Sequence, residues 1–160
     1  KSVRVGGNMM DDAILQHIKQ KYNLLIGESS AEHIKTTIGN AVMNDKVKRT
    51  EVKGRDLVSG IPKILEVDAS EVNKALSDLL ETIVQTVKTA LEQIPPELAG
   101  DIVDTGIVLA GGGALLKNLD RLLEEETWLP IRIADDPLTC VVMGSGKALD
   151  SIDILTHVMI

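Results

Sequence analysis

Between Thr105 and Leu116 the chain runs Thr-Gly-Ile-Val-Leu-Ala-Gly-Gly-Gly-Ala-Leu-Leu. A short apolar β-run, Ile107-Val108-Leu109-Ala110, meets three glycines, and a helix-forming run begins at Ala114. The order strand, tight turn, helix start is the grammar of an α/β fold. Glycine has no Cβ, so backbone there can lie close to a flat or charged ligand. A helix opening behind it would aim unpaired N–H groups at the same spot. The combination suits a nucleotide or another anionic group. A Gly-rich β-to-α turn can also be a plain connector, so the string by itself leaves both readings open.

Composition narrows the choice. The chain has 160 residues, 44% of them hydrophobic, enough to bury a core in one domain or two small lobes. Aromatic residues make up 1%, Tyr22 and Trp128 alone, so the core is built of Leu, Ile, Val and Ala, and base stacking on aromatic platforms is nearly excluded. A net charge of −7 argues against nucleic acid as a partner. Cys140 is the single cysteine, which rules out an intrachain disulfide and a thiolate metal cluster and fits a reducing cytoplasm. No apolar run approaches the roughly 18 residues of a membrane span, and the helix faces lack the Lys/Arg enrichment of a membrane-surface helix. The start at Lys1, with Val3-Arg4-Val5 patterned as an internal strand, is what a part of a longer protein would show.

Periodicity organises the rest. After Gly6-Gly7, Asn8 is placed to cap a helix whose Met10, Ile14, Ile18 and Tyr22 fall on one face, with Gly27 closing the unit. Ser29 and Glu32 form a capping-box pattern opening a second helix, with Ala31, Ile34 and Ile38 on one side and its end near Gly39. Lys46–Lys53 and Ile61–Val67 pattern as two strands joined by a long loop over 54–60, glycine at both ends. Asp68 and Glu71 open the longest helix, on the order of 35 Å, carrying Val72, Leu76, Leu79, Ile83, Val87, Ala90 and Ile94 at helical spacing until Pro95-Pro96 ends it. A short helix over 97–103 follows. After the glycine triplet, Leu115, Leu116, Leu119, Leu122 and Leu123 mark an amphipathic helix, Ile131-Arg132-Ile133 a short strand, and Asp135-Asp136-Pro137 the start of a last helix through Val141, Gly144, Ala148 and Ile152. The pattern implies two lobes. Residues 8–67 form a small inserted α+β lobe with two helices and a hairpin, and residues 1–7 with 68–160 form a larger lobe that alternates α and β around a parallel or mixed sheet.

Few side-chain clusters are chemically pointed. Glu32 and Lys35 share one flank of a helix and are able to grip the hydroxyls of a nucleoside, although spacing alone favours a cap carboxylate beside a solvated lysine. Asp135 and Asp136 are helix caps before they are metal ligands, and Glu124-Glu125-Glu126 is a solvated helix end. His17, His33 and His157 have no ligand spacing, and no Gly-x-Ser-x-Gly elbow, Gly-x-Gly-x-x-Gly or Walker lysine pattern occurs. Gly144 and Gly146 within a helix cost about 1 kcal/mol each relative to alanine, which close helix approach or a hinge would offset, unless the helix starts later, near Ser145.

Taken together, the strings resemble the actin-like ATPases, and within that superfamily the rod-shape-determining MreB family of bacterial actins. The resemblance is carried by Val3-Arg-Val-Gly-Gly7, Leu25-Ile-Gly-Glu28 with Ala31-Glu32-x-Ile-Lys35, Gly54-Arg-Asp-Leu57, Ala90-Leu-Glu92 with Pro95-Pro-Glu-Leu98, Gly111-Gly-Gly-Ala-Leu-Leu116 with Asn118-Leu-Asp120, and Asp136-Pro-Leu-Thr-Cys140 with Gly146-Lys-Ala-Leu149, in the family's order. It implies an actin-like, ribonuclease H-like fold with ATP in a cleft between lobes. Gly111, Gly112, Gly113, Ala114 and Leu115 match the adenosine-binding loop. Glu32, His33, Ile34 and Lys35 match the segment that contacts the nucleoside. Gly144 and Gly146 match an interdomain connecting helix. The resemblance covers only the second half of the family's chain. The phosphate loops, the acidic catalytic residue, the groups serving magnesium and the membrane-binding features belong to the family's first half.

The implied parent is a filament-forming cytoskeletal protein with weak, polymerisation-coupled ATPase activity. It lines the inner face of the cell membrane and organises cell-wall synthesis through membrane-anchoring and wall-synthesis partners. This half would supply the adenosine side, with no catalytic residue, no turnover of its own, no nucleic-acid partner and no direct membrane contact, and with an open sheet edge that favours self-association. Two other classes stay open on the sequence: a chaperone-like ATPase half of the same superfamily, and a protein-interaction module indifferent to nucleotide.

Overall fold

The structure is a computed structural model and describes residues 1–43 and 48–151. Three helices with apolar stripes organise it. α1 (Gly7–Tyr22) buries Met10, Ile14 and Ile18, α2 (Glu28–Ile38) buries Ala31, Ile34 and Ile38, and both pack against α3 (Ala69–Glu92), which buries Val72, Leu76, Leu80 and Val84. Each set is spaced by three or four residues and so falls on one face of its helix. On α3 that face runs through Leu80 and Val84, and the expected Leu79, Ile83 and Val87 pack at its margin, because α1, α2 and the later helix Leu119–Thr127 together decide which side is covered. Tyr22 adds a polar clasp, its hydroxyl donating to the Glu71 carboxylate at 2.6 Å, while Lys21 pairs with the same carboxylate. Burial works to raise the Glu71 carboxyl, but the Lys21 and Tyr22 hydrogen bonds outweigh it and hold it below its ordinary value.

Two sheets flank the helices. β1 (Leu24–Leu25), β2 (Arg49–Asp56) and β3 (Pro62–Asp68) form an antiparallel sheet in the order β1-β2-β3, with Arg49 opposite Asp68 and Arg55 opposite Pro62. After α3, α4 (Pro96–Thr105) leads into β4 (Ile107–Leu109), then a 3-10 turn over Gly112–Leu115, α5 (Leu119–Thr127), β5 (Ile131–Ile133) and α6 (Cys140–Asp150). β4 and β5 run parallel, Ile107 opposite Ile131, with α5 as the crossover. One apolar cluster continues from α1, α2 and the antiparallel sheet through α3 to Leu116, Leu119, Leu123 and Ile131. On α6, by contrast, Val141, Val142, Met143 and Leu149 are all exposed.

Several sequence expectations need correction. Val3–Val5 pairs with no described strand, because a strand needs a ladder partner and none lies beside it. Gly6, not Asn8, caps α1, since Gly6 is still extended and Met10 N–H already bonds to its carbonyl at 3.1 Å. The Ser29–Glu32 capping box does not form. The chain turns earlier, at an extended Gly27 whose carbonyl accepts from Ser30 and Ala31 N–H at 3.0 and 3.1 Å. The 54–60 loop shrinks to 57–61, because Gly54, Arg55 and Asp56 stay in the β2 ladder and the Asp56 carboxylate accepts from Val58 and Ser59 N–H at 2.9 Å each. Asp68 caps α3 as expected, accepting from Glu71 N–H at 3.0 Å.

The helix expected from Ala114 is interrupted. Ala114 N–H bonds to Gly111 O and Leu116 N–H to Gly113 O, both at 3.1 Å, which is the tighter i to i+3 pattern, and Asn118 then takes the left-handed conformation (φ 59°) before α5 begins. α6 runs unbroken through Gly144 and Gly146, neither of which has a neighbour within 4 Å of an added Cβ, so no close helix crossing occurs there among the described residues. Nor is Glu124–Glu126 merely solvated: Glu126 pairs with Lys88 at 2.5 Å, Glu125 with Arg121 at 2.8 Å, and Glu124 accepts from Ile131 N–H at 3.2 Å. Lys46, Val47, Ile152 and His157 lie outside the described residues.

Candidate functional site

The starts of α1 and α2 and the glycine turn after β4 converge on one cavity of about 960 Å³. Gly7, Asn8, Asp11 and Asp12 come from α1, Glu28, Ser29, Glu32 and Lys35 from α2, Gly112, Gly113 and Leu115 from the 3-10 turn, and Leu138 from the segment before α6. Ligand cavities run to roughly 300–1,000 Å³, so the space accommodates a nucleoside with room to spare. Neither helix start carries a side-chain cap.

Of the three glycines, the backbone itself demands only the first. Gly111 sits at φ +82°, where an L side chain is strained, and its N–H donates to Pro137 O at 2.6 Å, tying the turn to the approach to α6. Beyond it, an added Cβ on Gly113 would meet nothing within 4 Å, and one on Gly112 only Leu138 Cδ2 at 3.5 Å. Both glycines therefore present bare backbone to open space. Because the turn spans only Gly112–Leu115, no long helix dipole aims at this spot, in contrast to the strand–turn–helix expectation.

Lys35 lines the same cavity as the glycines. Its Nζ donates to Asp11 Oδ2 at 2.8 Å and to Gly7 O at 3.2 Å, so it is no free solvated lysine. Glu32, one turn earlier on α2, is exposed and lines the same space, acting as a wall carboxylate rather than a cap. Behind the cavity the two walls are tied together. Ala41 N–H donates to Lys117 O at 2.8 Å, Asn118 Nδ2 to Asn40 Oδ1 at 2.8 Å, Asn73 Nδ2 to Asn40 O at 2.9 Å, and Lys117 Nζ to Thr37 O.

Of the site residues expected from sequence, the structure brings together Glu32, Lys35, Gly112, Gly113 and Leu115. It does not bring the other four to the cavity wall. Ile34 and Ala114 are core residues, His33 points to solvent, and Gly111 shapes the turn without lining the space. Of the other lining residues, Gly7 and Leu138 carry no local signal of a site, and Asp11 carries only a charge on the helix flank away from its apolar stripe. Chemically the cavity offers bare backbone at Gly112 and Gly113 beside Leu115 and Leu138, a hydrogen-bond acceptor in Glu32 and a donor in Lys35. Among the described residues no group of three or more His, Cys, Asp or Glu side chains is arranged to hold a metal. Asp136 instead accepts from the Thr139 hydroxyl at 2.5 Å, next to the start of α6.

The model of the MreB/Mbl protein family matches residues 1–157. The chain belongs to the MreB/Mbl family. It is 53% identical over 152 residues to the cell shape-determining protein MreB of Escherichia coli K12, covering 95% of this chain and 44% of that protein. The chain thus spans about half the length of the curated relatives it matches. Among solved structures, MreB5 of Spiroplasma citri bound to AMPPNP superposes with a TM-score of 0.90 at 37% identity, over all of this chain and 48% of that one. The MamK double helical filament matches with a TM-score of 0.68 at 22% identity, over 82% of this chain and 40% of that one, a likeness of fold. The fold is the actin-like one that the motifs implied. No helix among the described residues is long and apolar enough to cross a membrane.

Proposed function

We propose that this chain supplies the adenosine side of the nucleotide cleft in an ATP-binding, filament-forming bacterial actin. The observation that carries the reading is one cavity lined both by Glu32 and Lys35 of α2 and by the bare backbone of Gly112 and Gly113. A purine needs a side-chain-free surface, which the Gly112–Gly113 backbone would offer, and its ribose needs an acceptor and a donor, which Glu32 and Lys35 would supply. The S. citri MreB5 structure with AMPPNP supports nucleotide as the ligand class. Gly111 to Leu115 form the base-side loop and Glu32 to Lys35 the sugar-side segment. Within these groups Gly111 shapes the turn, Ala114 and Ile34 are buried in the core, and His33 is turned to solvent.

In this reading the phosphates and their magnesium are served by residues outside the present span, and weak ATP turnover belongs to the parent. Residues 8–67 act as the small lobe and 1–7 with 68–160 as the large one, with nucleotide biasing their closure and so the contacts between protomers. The filament of MamK, which shares the fold, supports self-association as the mode of assembly. The parent works on the cytoplasmic face of the membrane, organising cell-wall synthesis together with anchoring and wall-synthesis proteins, and this half touches neither lipid nor nucleic acid.

Titration of the full-length protein with a fluorescent adenine nucleotide tests the reading. Saturable binding that is weakened by Glu32→Ala is expected. Indifference to ATP and ADP would overturn it and favour a nucleotide-independent interaction module.

A further inference from the structure

Resting on the nucleotide reading above, we propose that Asp11 is a positioning residue of the site, holding the Lys35 ammonium in the one place from which it can serve a bound nucleoside. Asp11 and Lys35 lie on different helices, and their side chains retain only 14% and 15% of their exposure. An ion pair taken this far out of water adds little net stability, because desolvation offsets most of the attraction. Its geometry, however, is specific. Nζ is clamped between Asp11 Oδ2 at 2.8 Å and Gly7 O at 3.2 Å, which engages two of the three ammonium N–H donors. The remaining donor belongs to a group on the cavity wall.

A lysine on a four-carbon stem otherwise samples many rotamers, and ordering it at the moment of binding costs affinity. Asp11 removes that cost beforehand. The first turn of α1 is shaped to permit the clamp: a Cβ on Gly7 would come within 3.3 Å of Lys35 Nζ. The second carboxylate oxygen, Asp11 Oδ1, is buried and has no hydrogen-bond partner, so the carboxylate is committed to the lysine and not to capping its own helix. The pair thus makes sense as preorganisation of a binding group, and poor sense as a stabilising bridge.

The experiment is a double-mutant cycle in the full-length protein, with ADP as the probe, using Asp11→Asn, Lys35→Met and the two combined. If Asp11 acts through Lys35, each single variant raises the Kd for ADP about tenfold, the loss expected for one charge-assisted contact. The double variant is then no worse than either single one. Asp11→Glu, which keeps the charge on a longer arm, recovers about half of the loss on a logarithmic scale. Should Asp11→Asn fail to fold, Asp11→Glu and Lys35→Arg carry the same cycle. An unchanged Kd in Asp11→Asn, or single-site losses that multiply in the double variant, overturns the inference. So does a variant whose only change is a lower melting temperature without nucleotide. Wild-type protein that ignores ADP sinks the site reading and this inference together; wild-type that binds, with variants that bind equally well, sinks the inference alone.

Discussion

Replacing Gly113 with alanine separates the needs of the fold from those of the ligand. The glycine is exposed in the 3-10 turn, its φ lies outside the left-handed range, and a new Cβ meets no protein atom within 4 Å. The folded chain therefore accepts the methyl without strain, and loss of glycine's freedom in the unfolded chain stabilises the nucleotide-free protein by about 0.4–1 kcal/mol. For a purine lying on the Gly112–Gly113 backbone the same methyl is an obstruction. It projects about 1.5 Å from Cα, and a ring kept at contact distance from it is lifted by a similar amount. About ten carbon contacts worth ~0.1–0.2 kcal/mol each are lost, and the hydrogen bonds to Glu32 and Lys35 are stretched at a further cost of about 1 kcal/mol. The sum, about 2–3 kcal/mol, corresponds to a roughly 30- to 150-fold rise in Kd. Urea unfolding without nucleotide and fluorescence titration with ADP, both on full-length protein, measure the two effects, which have opposite signs. Binding within about threefold of wild type, or destabilisation of the nucleotide-free protein by more than about 1 kcal/mol, refutes the reasoning.

Ile34→Ala is expected to cost about 2–5 kcal/mol of stability, because Ile34 is 0% exposed beneath α2; urea midpoints check this, and any loss of nucleotide affinity should follow the loss of folded protein. Trp128 ends α5 at φ 59° with 90% of its surface exposed, so Trp128→Gly relieves left-handed strain and raises stability by about 1 kcal/mol, read by thermal melting. Asp68→Ala removes the α3 cap and costs about 1 kcal/mol at neutral pH. The Ser70 hydroxyl and the Glu71 N–H hold the Asp68 carboxyl below its ordinary 3.8, so its contribution is fully present above that value and is lost as pH falls through the lower, folded value. The gap in stability between wild type and Asp68→Ala should accordingly close in strong acid, as acid titrations of the two proteins would show.

What the sequence revealed is what depends on near neighbours. The apolar stripes of α1 and α2, the Asp68 cap and the Pro95-Pro96 stop are all decided within four residues and are found where the spacing put them, whereas α3 buries Leu80 and Val84 beyond Leu76 and keeps the expected Leu79, Ile83 and Val87 only partly buried. The glycine triplet after β4 was legible for the same reason. Its continuation was not, since Leu115 to Leu123 keep a helical period while one backbone angle at Asn118 splits them into a turn and a helix. Lys35 looked solvated because its partner, Asp11, is 24 residues earlier on another helix. Val3–Val5 had the right residues for a strand, but strand formation also requires a neighbour.

The polar seam behind the cavity, where the residues after α2 meet those after the glycine turn, limits how the site can move. Ala41, Asn40, Lys117 and Asn118 fasten the two walls along their inner edge. Any widening to admit or discharge a guest must then be a swing about that fastened edge, as a book opens from its spine, so that small angular changes near the spine become large displacements at the outer margin.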